Sequence, residues 1–498
     1  MDLPTQTSRN SCNPQADHFC TSSRLRHDTI AALSSSQKTN RAGDSLASKG
    51  EEMSTEVAFD VPSFINSRRT GITQYGIVLL CGLVMFLDGF DTQAISYMVP
   101  SIAKEWGLTK QLLGPIFSSA LTGLMVGYLL VSPFSDRFGH RKLVIISTFA
   151  FALLTFATIF ATNVTGLIAL RFLTGIALGS VVPSAIALTT EFSPARLRAT
   201  FVLVIYAGFS LGFVAAGAVA AWVTPEYGWR SMLWIGAAAP MVVAILALLF
   251  LPESMDFLIR TKAQPDAVWR VVRRVDGALP VQGPTRFVTA AAERRSAVRS
   301  LFSSGRAAGT LVIWVVFMLN LAEFYALQSW LPSMLTNAGH SLDTVALATS
   351  MTTVGGIVAA FAVGPAMDRI GPYSSLATVY LSGVLFVALF GYSIDKSSWM
   401  MVATAFCAGF CVSGGQKSVI ALAAIYYPTS IRSTGVGWAL GMGRFGGIGG
   451  PLLIGALLAY HLNAQHILYV AGVPMLLAGL LIFLLGHWHK RDVAKGED

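Results

Sequence analysis

Two aspartates, Asp88 and Asp91, lie one helical turn apart inside an apolar run that extends from about residue 74 to residue 100. The run is long enough to cross a bilayer as a helix, which needs about 20 apolar residues. A spacing of three places both carboxyls on one face. A carboxylate at mid-membrane is costly unless it is paired, protonated or facing a wet cavity. The pair therefore indicates chemistry: binding of a proton or a cation, or orientation of a polar ligand.

Composition narrows the class of protein. Charged residues make up 12% of the 498 residues and hydrophobic residues make up 54%, whereas soluble domains carry about 25% charged residues. This balance is typical of a polytopic membrane protein and excludes a soluble enzyme. The net charge of +9 lies mostly in loops on one side of the predicted spans, and no DNA- or RNA-binding motif interleaves with it.

No motif predicts an enzyme or a resident cofactor. The sequence contains no nucleophile–base–orienter set and no metal-ligand cluster. Its five cysteines form neither a disulfide framework nor a metal knuckle. Because no Gly-rich loop carries a Walker lysine, we expect an ion gradient, not ATP, to drive any transport.

Apolar runs bounded by charge, Gly or Pro predict twelve spanning helices, since helices and closed barrels are the only structures that satisfy a backbone in lipid. Lysine and arginine flank these runs on one side, as in Arg68, Arg69 and the loop at 260–306. This bias predicts that both termini are cytoplasmic. The approximate ranges are 73–99, 111–133, 141–161, 164–189, 199–223 and 231–251, then 309–335, 343–366, 373–394, 398–424, 434–460 and 466–487.

The two sets of six spans repeat each other. The segment SPFSDRFG at 132–139 matches GPAMDRIG at 364–371, and PARLRAT at 194–200 matches PTSIRST at 428–434. The first match has an offset of 232 residues, and the same offset maps Asp88 onto Asn320 and Asp91 onto Glu323. Internal repeats of this kind are typical of transporters, in which the substrate site lies near the midplane between the halves.

The sequence therefore predicts an all-α polytopic membrane protein with two pseudo-symmetric six-helix bundles, at 71–251 and 309–487. A cytoplasmic loop at 252–308 with short amphipathic helices joins them. Residues 1–70 are predicted to be a disordered cytoplasmic extension, and residues 488–498 a cytoplasmic tail. We hypothesise that residues 1–52, rich in Ser, Thr and Asn, are dispensable or precede the native start.

The motifs resemble the major facilitator superfamily, whose loop pattern G-x-x-x-D-R-x-G-R-R/K is matched from Ser132 to Lys142 with Ser and His at two positions. Within it they resemble the aromatic acid:proton symporters, which include 4-hydroxybenzoate and benzoate transporters. The supporting segments are DGFD at 88–91, RFLTG at 171–175, SWLP at 329–332, YPT at 427–429 and GWALGMGR at 437–444. The resemblance implies import of benzoate-like acids with protons. It also marks six conspicuous charged positions: Asp88, Asp91, Arg171, Glu191, Arg432 and Arg444.

Buried charges supply the candidate site. We expect Asp88, Asp91 and Glu323 to carry protons. At 1.5 Å per residue, Asp91 and Arg171 lie about 13 Å and about 11 Å from the outer ends of their helices, so an ion pair of Arg171 with Asp91 or Asp88 is expected. An arginine fork matches a carboxylate in a bidentate manner. The candidate substrate contacts are Arg171, Arg444, Gln416, Asn320, Phe90, Phe324 and Trp438.

A second set of charges lies at the predicted cytoplasmic helix ends. Alternating access by rocking bundles needs a contact that closes in one state and opens in the other. We interpret these charges as such an inner gate. The alternative is that they only set the orientation of the helices in the membrane. The set comprises Asp136, Arg137, Glu191, Arg198, Asp368, Arg369 and Arg432.

Taken with the resemblance, these features favour a proton symporter that imports a small aromatic carboxylate into a bacterium across the inner membrane. Its expected partners are the aromatic acid, protons and the lipid bilayer, without nucleic acid or ATP. The alternatives are a proton symporter for nicotinate, muconate or another organic acid, an exporter of aromatic compounds, and a membrane sensor of aromatic acids that binds without flux.

Overall fold

Twelve helices in the described part of the chain are long and apolar enough to cross a membrane. The computed structural model describes residues 57–261, 263–276, 285–288, 298–303, 305–428, 431–460 and 462–495, so the expectations for residues 1–52 fall outside it. The predicted all-α polytopic fold is confirmed. The helices are α1 (Ile72–Trp106), α2 (Lys110–Val126), α3 (His140–Thr158), α4 (Val164–Glu191), α5 (Arg198–Tyr227), α6 (Arg230–Phe250), α7 (Ala307–Asn337), α8 (Leu342–Ile370), α9 (Pro372–Ser393), α10 (Ser398–Tyr426), α11 (Arg432–Ala459) and α12 (Ala464–Lys495).

Helix pairing repeats between the halves. In the first half α1 packs on α5, α2 on α4, and α3 on α4 and α6. In the second half α7 packs on α11, α8 on α10, and α9 on α10 and α12. The two halves meet through α2 with α11, α5 with α8, and α1 with α7. The N bundle (α1–α6) and the C bundle (α7–α12) thus have equivalent layouts, as the internal repeat predicts.

Among the described residues, the two bundles share a buried apolar cluster on one side only. One buried cluster contains the C bundle and the parts of the N bundle at 90–102, 113–121, 159–167, 213–220 and 229–233. These parts lie toward the side opposite the termini. The rest of the N bundle, on the termini side, forms a separate cluster at 61–87, 144–151, 177–205 and 243–272. The bundles are therefore sealed together on the side opposite the termini.

Glycines allow α2 and α4 to approach each other closely. A Cβ placed on Gly123 would lie 1.9 Å from the carbonyl oxygen of Phe172, and one on Gly175 would lie 2.1 Å from that of Ala120. Small residues take this role in membrane bundles because packing, not water exclusion, holds the helices together. Gly127, the residue after α2, and Gly179 on α4 repeat these contacts four residues further on, and a spacing of four keeps both contacts on the same face of each helix.

A small layer of short elements covers the termini side of the N bundle. Strand β1 (Val57–Asp60) pairs in parallel with strand β2 (Thr285–Val288), and a short helix Val61–Ser67 leads into α1. The prediction of a disordered extension over residues 1–70 is therefore wrong for 57–67. The reason is long-range pairing: Phe59 packs on Trp269 of a helix within the central loop, and no local pattern reveals such a partner.

The central loop contains the short helices expected of it. Helix Pro265–Val275 buries Val268, Trp269 and Val272 and exposes three arginines. A second short helix, Met255–Arg260, precedes it, and a 3-10 turn, Val298–Phe302, lies against the C bundle. The loop thus docks its first part on the N bundle and its last part on the C bundle.

The α2–α4 contact gives a direct test of the packing. Replacement Gly175→Ala forces a methyl group into the backbone of α2 and is expected to lower the free energy of unfolding by about 1–3 kcal/mol. The matched replacement Gly76→Ala, where no atom lies within 4 Å of the new Cβ, is expected to be neutral or to stabilise by up to about 1 kcal/mol. Thermal unfolding of both variants in detergent measures the difference, and equal melting temperatures would contradict the close contact.

Candidate functional site

Asp91 and Arg171 form a buried ion pair inside the N bundle. The Nη1 atom of Arg171 on α4 lies 2.8 Å from Oδ1 of Asp91 on α1. The Nη2 atom donates a second, 3.3 Å hydrogen bond to the backbone carbonyl of Asp91. The two side chains are only 1% and 4% exposed. The predicted ion pair of Arg171 is therefore confirmed, with Asp91 as the partner, and it ties α1 to α4.

Asp88 is equally buried but differs in its surroundings. Its Oδ1 atom has no hydrogen-bond partner among the described residues, and no basic group lies within ion-pair distance there. The nearby positive charge is Arg444 of the C bundle, with which Asp88 interacts electrostatically. The backbone around Asp88 is fixed because Gly89 lies against the carbonyl of Phe209 on α5. Asp88 is thus a carboxyl held at the bundle interface.

Arg444 on α11 is a half-buried guanidinium among aromatic rings. Its Nη1 atom donates a 3.2 Å hydrogen bond to the hydroxyl of Tyr325 on α7. Its Cζ atom lies 4.9 Å from the centre of the Tyr128 ring, over the ring face. Among the described residues no carboxylate lies within 4.0 Å of it. Because Tyr325 accepts from Arg444, its own O–H stays available as a donor.

Glu323 and Asn320 occupy the equivalent part of α7 in the C bundle. Both are buried, and the Asn320 amide donates a 3.3 Å hydrogen bond to the carbonyl of Val412 on α10. Glu323 Oε1 and Asn320 Oδ1 have no partner within the described residues. Glu323 also forms none of the ion pairs found there. The acid expected to carry a proton thus has no cation within 4.0 Å among the described residues.

The candidate aromatic contacts are scattered. Phe324 reaches the bundle interface, where its ring centre lies 6.0 Å from that of Phe213 on α5. Phe90 is buried and faces Gly236 of α6, inside the N bundle. Trp438 is 44% exposed, and its ring stacks on that of Trp314 with the ring centres 5.8 Å apart. It lies six residues before Arg444 on α11. Gln416 is half-buried on α10. Of these, only Phe324 contacts a ring of the opposite bundle.

The charges of the expected inner gate do not pair across the bundles in this structure. None of the four ion pairs in the described ranges joins the N bundle to the C bundle on the termini side. Glu191 instead accepts a 2.7 Å hydrogen bond from the backbone N–H of Asp256, in the short helix Met255–Arg260 of the central loop. The side chain of Asp136 is outside what the structure describes. The gating role of the set stays a prediction; its exposed members are Arg137, Arg198, Asp368, Arg369 and Arg432.

Two hydrogen bonds between the bundles lie on the side opposite the termini. Gln93 donates a 3.1 Å hydrogen bond to the carbonyl of Gln328, and Ser118 donates one of 2.8 Å to the carbonyl of Ile448. The Gln328 amide is held in turn by the hydroxyls of Thr352 and Thr353. Sequence reasoning missed these hydrogen bonds between the bundles, because an isolated Gln or Ser in a membrane-spanning helix does not reveal its partner.

Tyr128 and Glu253 were also missed. Tyr128 lies in a π-helical turn, Gly127–Val131, that continues α2, and π turns have no simple sequence signal. Glu253 accepts a 3.0 Å hydrogen bond from the backbone of Arg141, whose guanidinium binds the carbonyls of Leu248 and Leu251. Burial raises the pKa of the Glu253 carboxyl, and the backbone N–H of Arg141 opposes that shift. The pair fastens α3 to the end of α6.

Comparisons with known proteins agree with the fold. The family model described as Major Facilitator Superfamily matches residues 81–392 and 313–497. The 4-hydroxybenzoate transporter PcaK of Pseudomonas aeruginosa is 36% identical over 86% of this chain and 96% of that protein. The gallate transporter of Pseudomonas putida is 36% identical over 87% and 96%. The crystal structure of a D-xylose-proton symporter shares the fold, with a TM-score of 0.63 at 18% identity over 82% of this chain and 97% of that one.

The buried ion pair predicts different costs for the two aspartates. Asp91→Asn leaves Arg171 charged and unpaired in the bundle and is expected to cost about 3–5 kcal/mol of stability. Asp88→Asn breaks no ion pair and is the matched control, with a clearly smaller loss. Thermal unfolding of the purified protein measures both. Equal shifts in melting temperature would contradict the structural role of the Asp91–Arg171 pair.

Proposed function

Because the chain belongs to the major facilitator superfamily and, within it, to the family of aromatic acid transporters, we propose that it imports a small aromatic carboxylate together with protons. The supporting comparisons are the relatives that carry 4-hydroxybenzoate and gallate. The expected location is the inner membrane of a bacterium, with both termini in the cytoplasm. The loop charges support that orientation.

The proposal rests chiefly on Arg444. A guanidinium at the bundle interface, with no carboxylate within 4.0 Å in the described residues, is suited to an anionic ligand. The substrate carboxylate would accept two hydrogen bonds from the free edge of Arg444 and a third from the Tyr325 hydroxyl. Arg171, the other candidate, already has its charge balanced by Asp91 at 2.8 Å. We therefore assign the substrate carboxylate to Arg444 and a bracing role to Arg171.

In this proposal, proton coupling arises because Asp88 and the substrate carboxylate both interact with the positive charge of Arg444. In the empty site the charge of Asp88 offsets that of Arg444 across the interface. When a substrate carboxylate binds Arg444, a second anion lies near Asp88, and like charges disfavour ionisation. Asp88 then takes up one proton as one anion binds, so the charge of the site is unchanged. Glu323, which has no cation partner in the described residues, stays the candidate for a second proton.

The structure corresponds to one end state of the proposed cycle. Its bundles are sealed by the Gln93–Gln328 and Ser118–Ile448 hydrogen bonds on the side opposite the termini. With cytoplasmic termini, this is a state closed to the outside. Rocking of the bundles would break these contacts and bring the exposed charges near Asp368 and Arg432 into the predicted inner gate.

Uptake into proteoliposomes tests the proposal. An imposed inward proton gradient is expected to drive accumulation of labelled 4-hydroxybenzoate, and a protonophore is expected to abolish it. Asp88→Asn is expected to stop accumulation while retaining exchange of labelled for unlabelled substrate, because exchange needs no net proton movement. Arg444→Lys is expected to weaken binding by about tenfold or more, since the bidentate contact is worth at least that factor.

The matched control is Glu226→Gln, an exposed acid at the end of α5, which is expected to transport like the wild type. Uptake that ignores the protonophore but needs sodium would reject proton coupling. Gradient-driven accumulation by Asp88→Asn would reject the coupling role of that residue. Unchanged affinity in Arg444→Lys would reject the carboxylate site.

A further inference from the structure

Four exposed arginines lie on the termini side of the N bundle, close to the start of α1 and the end of α6. Two of them precede α1 and two end the helix Pro265–Val275 of the central loop; this arginine rim consists of Arg68, Arg69, Arg273 and Arg274. Within the described ranges its one ion pair joins Nε of Arg68 to Oδ2 of Asp276 at 3.1 Å. The rim therefore carries more positive charge than its acidic partner balances.

Contacts of Arg274 fix the end of the loop helix between two spanning helices. Its Nη1 atom donates a 3.5 Å hydrogen bond to the carbonyl of Phe250, the last residue of α6. Its backbone carbonyl accepts a hydrogen bond from the hydroxyl of Thr73, the second residue of α1. Both α1 and α6 are long and apolar enough to span a membrane. Arg274 thus lies at the level where these helices enter the bilayer.

The loop helix holds its arginines outward by apolar packing. Val268 and Val272 are buried in the cluster of the N bundle. Arg270, Arg273 and Arg274 follow at spacings of three and four, so they share the opposite, exposed face. Because packing and not a partner acid positions Arg273, this arginine can bind an anion without breaking an ion pair of the described chain.

Next to the rim, both spanning helices expose apolar side chains. On α1 these are Ile72, Tyr75 and Leu79, whose spacings of three and four place them on one face. On α6 the last turn exposes Leu249 and Phe250. In a membrane such faces are covered by acyl chains, which are as apolar as the side chains themselves. Positive charge above exposed apolar faces matches a ligand with an anionic head and hydrocarbon tails.

We propose that the arginine rim binds the headgroup of an anionic phospholipid whose acyl chains lie along the exposed faces of α1 and α6. Basic residues at a membrane surface attract anionic headgroups, and basic pockets beside spanning helices bind them. The planar arginine fork matches the oxygens of a phosphate. The apolar faces favour a lipid over a free phosphate ion, which has nothing to place on them. The rim shares no residue with the proposed transport site, so this inference does not depend on the proposed function.

Native mass spectrometry of the full-length protein in detergent tests the inference with two lipids of identical acyl chains. Anionic phosphatidylglycerol is expected to bind about thirtyfold more tightly than zwitterionic phosphatidylcholine. Combined replacement of Arg69→Gln and Arg273→Gln is expected to remove this difference, because each arginine near an anionic surface contributes about fivefold. Neither residue forms an ion pair in the described ranges, so the melting temperature is expected to stay unchanged.

Arg299→Gln is the matched control, because Arg299 is also exposed but lies in the 3-10 turn Val298–Phe302 against the C bundle. It is expected to change the affinity for phosphatidylglycerol by less than twofold. The paired replacements Arg69→Lys and Arg273→Lys keep both charges and are expected to retain the preference, which separates loss of charge from loss of fold.

Four results would overturn the inference. They are equal binding of the two lipids, an undiminished preference in the glutamine pair, an equal loss in Arg299→Gln, and an equal loss in the lysine pair. Soluble glycerol phosphate distinguishes the two sources of a phosphate group. It is expected not to bind measurably, and an affinity equal to that of phosphatidylglycerol would replace the lipid site with a site for free anions.

Discussion

A guanidinium buried in an apolar bundle needs negative charge nearby, and this requirement organises the centre of the protein. Arg171 meets it inside one bundle, through an ion pair with Asp91 at 2.8 Å. Arg444 meets it only partly, through the Tyr128 ring, the Tyr325 hydroxyl and the more distant charge of Asp88. The first arginine therefore has a paired carboxylate, whereas the second has none within 4.0 Å among the described residues. The same residue type thus serves structure in one bundle and proposed function in the other.

The packing between the two bundles differs between the two sides of the described structure. Both bundles contribute to one apolar cluster on the side opposite the termini, while the N bundle keeps its own cluster on the termini side. The Gln93–Gln328 and Ser118–Ile448 hydrogen bonds lie on the sealed side. A hydrogen bond contributes only about 1 kcal/mol, so these two bonds add little to the apolar packing on the same side. Separation of the bundles in the proposed transport cycle would have to disrupt that packing as well.

Sequence reasoning succeeded where a feature depends on neighbouring residues or on position along a single helix. Hydropathy gave the twelve spans because a bilayer imposes a fixed apolar length on each helix. Helix rise alone placed Asp91 and Arg171 at similar depth, and the ion pair is present. It failed where two distant segments define the feature. The strand at Val57–Asp60 exists because Thr285–Val288 pairs with it, and Gln93 became a bundle contact only through Gln328.

The sequence by itself determined the membrane class, the spans, the repeat, the family resemblance and the identity of the buried ionisable residues, because the order of apolar and ionisable residues along the chain is fixed before it folds. Only the tertiary structure decided which of those ionisable residues pair with one another. It paired Arg171 with Asp91, left Arg444 without a carboxylate within 4.0 Å in the described residues, and brought Tyr128 onto it through a π turn. The reason is that partner choice depends on which helix faces meet, and glycine contacts between helices far apart in sequence set that geometry.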